Sequence, residues 1–138
     1  MLDKIILASK SKVREEILNK HKIFCEVKPS NVDEDIVKES LIKESASPEI
    51  ISINLAELKA NKVSLNQKDR MVIGADSVID LDGELISKPE NREEALIILK
   101  KLNGKKHNLI SSGDACSLIK LDFTTSSSTF DGSTTLSI

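Results

Sequence analysis

Apolar residues along this chain fall into short unbroken runs separated by helix-period stripes, and that alternation predicts an α/β domain. Residues 4–8, Lys-Ile-Ile-Leu-Ala, form the kind of run a buried strand carries. Ser9-Lys-Ser-Lys12 follows as a loop, and residues 13–20 then place Val13, Ile17 and Leu18 on one side of a short helix. Ser11 suits its N-cap, with Glu15 and Glu16 in the first turn, where the helix dipole favours acids. Residues 23–27 predict a second strand, 29–35 a polar turn and 36–43 a weakly patterned helix.

Ser47-Pro48-Glu49 is a stronger signal: a capping hydroxyl, proline at the first helical position, then an acid. The helix it opens carries Ile51, Leu55, Leu58 and Leu65 as its expected buried stripe. Lys59 and Lys62, three apart, are expected on one side of it. Residues 71–75 predict a central strand, and 79–86 a hairpin turning at Asp82-Gly83. Asn91-Arg-Glu-Glu94 reads as a capping box before a helix with Ala95, Ile98, Leu99 and Leu102 inward. Gly104 stands where a C-terminal cap belongs, and residues 107–111 can form one more strand.

Beyond Ser112 the pattern stops. Residues 113–138 hold 11 Ser or Thr among 26, too polar a run to offset its ordering entropy, so a disordered or non-native tail is expected there, with a short strand near 118–121 at most. The expected organisation is one α/β domain over residues 1–112 and this tail over 113–138.

Composition narrows the function. A chain of 138 residues with 39% hydrophobic content can bury one core. Aromatic residues make up 2%, with no Trp or Tyr, which removes the stacking platforms of single-strand binders. A net charge of -2 leaves no basic footprint for duplex nucleic acid. A small anionic ligand needs only a few local cations. Cys25 and Cys116 form no CxxC pair and share no ligand-like spacing with His21 or His107, so unpaired thiols in a reducing compartment are expected. The apolar run near the start is too short for a membrane span or a signal core. A cytoplasmic protein is the expectation.

Gly74-Ala-Asp-Ser-Val78, with Lys88-Pro89 behind it, is where chemistry concentrates. Asp76 is expected at the carboxyl end of the central strand, the side on which ligands enter open α/β sheets. An Asp there can hold a metal or activate water, and a Lys can neutralise phosphate oxygens. Taken alone, the same residues also fit a turn-capping Asp76 and a solvated Lys88.

Six segments in order carry a resemblance. They are Leu7-Ala-Ser-Lys-Ser-Lys-Val-Arg14, Val32-Asp-Glu34, Leu55-Ala-Glu-Leu-Lys-Ala60 with Lys62, Gly74-Ala-Asp-Ser77, Lys88-Pro89 and Leu102-Asn-Gly-Lys-Lys-His107. Together they resemble the Maf family of nucleoside triphosphate pyrophosphatases. The resemblance implies a mixed, twisted sheet with flanking helices bent around a cleft, often in a homodimer. It also implies hydrolysis of a nucleoside triphosphate, modified or pyrimidine, to the monophosphate and pyrophosphate with a divalent metal, usually Mg²⁺. A link to septum formation and cell division is attached to the family.

On that resemblance Asp76 is the general base, and Lys88 and Arg14 stand with it at the reacting phosphates. Ser9, Ser11, Lys59 and Lys62 would bind the triphosphate, and Ser77 would bear on nucleotide choice. Glu34 and Asp76, expected on separate loops, would share the metal, since Mg²⁺ takes one or two carboxylates plus substrate oxygens and water.

Two departures stand out. Relatives commonly show Ser-Pro-Arg-Arg in the first loop, where this chain has Ser11-Lys12-Val13-Arg14, so the base is not assigned. Family members also continue for dozens of residues past the position of His107, and residues 113–138 do not resemble that half. The second half of the usual fold is therefore expected to be missing or altered, as after a frame shift or premature end. The alternative is accordingly an inactive remnant that binds nucleotide or a partner protein without turnover. A third reading is an unrelated α/β phosphate-binding domain.

Overall fold

One long strand organises the sheet. The structure, a computed structural model, describes residues 5–117. In chain order its elements are β1 (Ile5–Leu7), α1 (Lys12–Lys20), β2 (Cys25–Val27), α2 (Glu34–Lys43), α3 (Pro48–Ser64), β3 (Met71–Leu81), β4 (Glu84–Ile86), α4 (Arg92–Leu102) and β5 (Asn108–Ser117). β1 pairs in parallel with β2 and with β3, while β4 and β5 run antiparallel to β3. The expected mixed α/β sheet with flanking helices is what forms.

β5 lies along almost all of β3, from Met71 opposite Ser117 to Asp80 opposite Asn108. A strand has only two edges, so β1 and β4 must share the other one. β1 takes Val72 and Ile73, and β4 takes Ile79 to Leu81. Between them the β3 edge passes a gap, and Asp76 and Ser77 lie in it. This corrects the sequence expectation: the strand does not end at residue 75, and Asp76 is mid-strand rather than at a carboxyl end. An opening is created here by a change of edge partner, not by the strand's termination.

α3 covers one face of the sheet. Even-numbered β3 residues turn towards it, and Gly74 lets it come close: a Cβ there would lie 2.1 Å from the Ala56 carbonyl oxygen and 2.7 Å from the Ala60 nitrogen. The buried rows of α3 are Ile51, Leu55, Lys59, Val63 and Ser52, Ala56, Ala60, Ser64, each stepping by four. These rows cross the helix obliquely, as ridge-into-groove packing requires. Leu58 and Leu65, expected inward, therefore fall outside the contact and are exposed. Ile6, Ala8, Val63 and Val72 form the core cluster.

Local signals hold well. Ser11, Ser47 and Asn91 cap α1, α3 and α4, each accepting from the backbone N–H three residues on. In the Asn91 box the returning Glu94 carboxylate accepts from Glu90 N rather than from the cap itself. The hairpin turns at Asp82 (φ 50°) and Gly83 (φ 88°), the positive pair a type I′ turn demands. Gly104 follows α4 with φ 71°.

Burial of the outer helices differs from expectation. Val13 and Ile17 on α1 are 63% and 52% exposed, and Leu99 on α4 is exposed as well. Among the described residues no layer covers the sheet face opposite α3 as α3 covers its own, so their apolar stripes lack a full partner. β5 also runs to Ser117, past the composition change at Gly113. The expected tail otherwise falls on residues 118–138, outside the described residues, as does the suggested strand at 118–121.

Candidate active site

The site is assembled from β3, helices α1, α2 and α3, and the connections that carry Ser9, Ser11 and Lys88. Asp76 leaves β3 towards α3, where it is buried. Lys59 projects from the α3 row that faces it, and its Nζ donates to Asp76 Oδ1 at 2.8 Å. The same Nζ lies 2.8 Å from Glu34 Oε1. Glu34 is the first residue of α2, placed there by the Asp33 N-cap, which accepts from Ile36 N at 3.2 Å. This corrects the expectation of a loop position: helix α2 begins two residues early because Asp33 caps it. Residue 34 thereby gains a fixed direction into the gap.

Lysines are rarely buried unless paired, and Lys59, 6% exposed, meets that condition with two carboxylates. Partial burial pushes the Glu34 carboxyl up, but the hydrogen bond and charge of Lys59, with Lys38 and Lys88, outweigh it and hold Glu34 below the usual range. Lys38 stands one helical turn along α2, 3.7 Å from Glu34 Oε2.

A second cluster forms on the other face. Arg14, one turn into α1, donates from Nη1 to Ser9 Oγ at 2.9 Å and from Nη2 to Ser77 Oγ at 3.1 Å. Ser77 Oγ also shares a hydrogen bond with Ser111 Oγ at 2.9 Å. Ser9 Oγ further accepts from Ser11 N, and Ser11 Oγ accepts from Arg14 N, so the loop between β1 and α1 is tied to its own helix. Successive strand residues point to opposite faces, so Asp76 and Ser77 serve different clusters.

The gap joins them. A cavity of about 440 Å³ is lined by Ser9, Ser11, Arg14, Glu34, Lys59 and Lys88, among others. A smaller recess shares Glu34 and Lys88 with it and adds Asp76, Ser77 and Lys38. Of the residues singled out from sequence, Asp76, Glu34, Lys59, Lys88, Arg14, Ser9, Ser11 and Ser77 are thus brought together. Lys62 is not among these lining residues; it is exposed, and its Nζ donates to the Asn31 carbonyl at 2.7 Å, bracing the cavity wall where Asn31 sits.

Sequence reasoning missed three residues. Ser52 is fully buried, and its hydroxyl lies 3.4 Å from the Asp76 carbonyl oxygen and 2.9 Å from Ser112 Oγ. It stands seven residues before Lys59, so two turns of one helix grip Asp76 by main chain and side chain. Lys38 carried a legible signal, the i, i+4 spacing from Glu34. Ser111 carried none, because its partner Ser77 is set by strand register.

A mixed sheet split at one edge, with Arg14 of α1, Glu34 of α2, Lys59 of α3 and Asp76 of β3 around the split, is the arrangement this α/β domain presents. The family profile described as "Maf-like protein" matches residues 4–135, and the chain belongs to the Maf family. It is 64% identical over 112 residues to the "Nucleoside triphosphate pyrophosphatase" of Pelagibacter ubique (strain HTCC1062), covering 81% of this chain and 57% of that protein. It is 43% identical over 108 residues to the protein of the same name from Ruegeria sp. (strain TM1040), covering 78% and 54%. The "dTTP/UTP pyrophosphatase" of Caldicellulosiruptor saccharolyticus (strain ATCC 43494 / DSM 8903 / Tp8T 6331) is 35% identical over 130 residues, covering 88% and 62%. The chain thus spans little more than half the length of the curated relatives it matches.

Proposed function

We propose that this chain carries the catalytic centre of a nucleoside triphosphate pyrophosphatase, which hydrolyses a pyrimidine or modified nucleotide to the monophosphate and pyrophosphate. One observation carries the reading: Asp76, Lys59 and Glu34, from three elements, meet in the β3 edge gap beside a cavity bearing Arg14 and Lys88. The names of the relatives support the reaction, and two of the three name no base.

In this reading Asp76 is the general base. In the structure Lys59 engages its Oδ1, and the second oxygen is the one that would take a proton from the attacking water. The water oxygen bonds to the α-phosphorus, the bond from that phosphorus to the bridging oxygen breaks, and pyrophosphate leaves. Arg14, pre-oriented by Ser9 and Ser77, forks onto phosphate oxygens, and Lys88 offsets charge on the leaving group. Ser9 and Ser11 line the phosphate side, Ser77 bears on nucleotide choice through Arg14, and Lys62 acts through the Asn31 wall.

The donor set fits a hard divalent cation: two carboxylates from different elements already converge on one positive charge. Glu34 and Asp76 would hold it, with Mg²⁺ the usual choice, and it would supply Lewis-acid neutralisation of the phosphate oxygens. No group of three or more His, Cys, Asp or Glu gathers among the described residues, so substrate oxygens and water would complete its shell. Among the described residues, no helix is long and apolar enough to cross a membrane. A cytoplasmic setting belongs to the proposed reading, in keeping with the free thiols Cys25 and Cys116. A homodimer and a link to septum formation rest on the family resemblance.

A second reading, nucleotide binding without turnover, is favoured by the sheet face left open opposite α3. One experiment separates the two. Full-length chain, Mg²⁺ and a panel of common and modified triphosphates are mixed and pyrophosphate is followed. Release that Asp76→Asn abolishes is expected. Binding by calorimetry with no release selects the second reading, and undiminished release by Asp76→Asn removes Asp76 as the base.

A further inference from the structure

We propose that Lys59 is the built-in counter-cation of the Glu34–Asp76 pair, and that a divalent metal enters only by displacing its ammonium, which then turns to the phosphate side. This deepens the reading above, since it takes Glu34 and Asp76 as the metal's ligands. It concerns a residue whose expected role was direct phosphate binding.

Three observations carry it. The Lys59 ammonium stands 2.8 Å from one oxygen of each carboxylate, so the oxygens a metal needs already serve a resident charge. Lys59 is buried on the α3 row against β3, and the closeness of Ala56 and Ala60 to Gly74 fixes where its stem begins. Its side chain nonetheless lines the cavity with Ser9, Arg14 and Lys88, so a change in its outer torsions alone delivers the ammonium there. Lysine suits this exchange: it is a point charge on a flexible four-carbon stem, where arginine would be a rigid fork.

The charge balance explains why both states are stable. Without metal, one ammonium against two carboxylates avoids the strong repulsion of paired acids at close quarters. With metal, ammonium and dication would compete for the same oxygens and repel each other, so one must leave. The displaced ammonium gains phosphate oxygens when substrate is present. Metal and phosphate binding are therefore linked, each raising affinity for the other through Lys59. Lys59 is thus a positioning residue before it is a substrate contact.

The test needs no turnover. Mn²⁺ alone is titrated into full-length protein, with free Mn²⁺ read by electron paramagnetic resonance. Lys59→Met, which removes the competing charge, should bind Mn²⁺ roughly tenfold more tightly than wild type, and Glu34→Gln roughly tenfold more weakly. Unchanged or weaker binding by a folded Lys59→Met overturns the proposal, as does absence of Mn²⁺ binding in both. Should Lys59→Met not fold, the wild-type protein decides by lysine NMR: Mg²⁺ should shift the Lys59 ε-CH₂ resonance together with the Glu34 and Asp76 carboxyl carbons. A Lys59 signal that stays put while those carbons move overturns it. Displacement seen in a protein that releases no pyrophosphate leaves this inference standing and sinks the catalytic reading instead.

Discussion

On the α3 side of β3, Val72, Gly74, Asp76 and Val78 are all buried. On the opposite side Met71, Leu109 and Ser111 are exposed, and Ile73, Ala75 and Ser77 are only half-buried. The same strand thus presents two environments one residue apart. On the buried side an ion pair is held in a low-dielectric setting where geometry is rigid and each charge depends on its partner. On the open side Arg14 is steered by hydroxyls of Ser9 and Ser77 and stays within reach of a ligand. In the proposed reading, the closed face would fix the geometry of the chemistry and the open face would admit the substrate.

Substitutions can break that comparison in order of expected size. Asp76→Asn should lower pyrophosphate release by roughly 10³-fold, the usual scale for losing a general base, measured at saturating nucleotide. Gly74→Ala should destabilise by about 3 kcal/mol, because its new methyl meets backbone rather than movable side chain, read from urea melts. Leu55→Ala, in the same packed layer, should cost a similar amount, about 3 kcal/mol. If the two faces were equally packed, Ile17→Gln on α1 would cost as much; the expected change is below about 0.5 kcal/mol.

A pH series sharpens the electrostatic half. Glu34 has a folded pKa below its ordinary value, so it contributes stability above about pH 4.3 and that contribution is lost as pH falls through the lower folded value. Thermal melts across pH 3 to 6 should show this loss in the wild type, and a smaller one in Glu34→Gln. Equal slopes in both would mean the Lys59 pairing does not stabilise the fold.

Much of this was legible in sequence where the cause is local. Ser11, Ser47 and Asn91 announce helix starts because a short polar side chain satisfies an orphan N–H three residues on. Asp82-Gly83 announces its hairpin because few residues accept two positive φ values. The residues gathered around the β3 gap were legible as a family pattern, since Asp76, Glu34, Lys59 and Arg14 lie in ordered motifs. Inward faces were less legible: Leu58 and Leu65 continue an apolar stripe, yet the buried rows run elsewhere.

By itself, then, the sequence determined where helices begin, where the hairpin turns and which charged side chains are available, because those depend on contacts a few residues apart. Tertiary structure alone decided that β3 runs on past Asp76, that β1 and β4 leave a gap there, and that Lys59 faces two carboxylates rather than solvent. Those outcomes depend on strand register and on the rotation of α3 against Gly74, which are set by packing between segments distant along the chain.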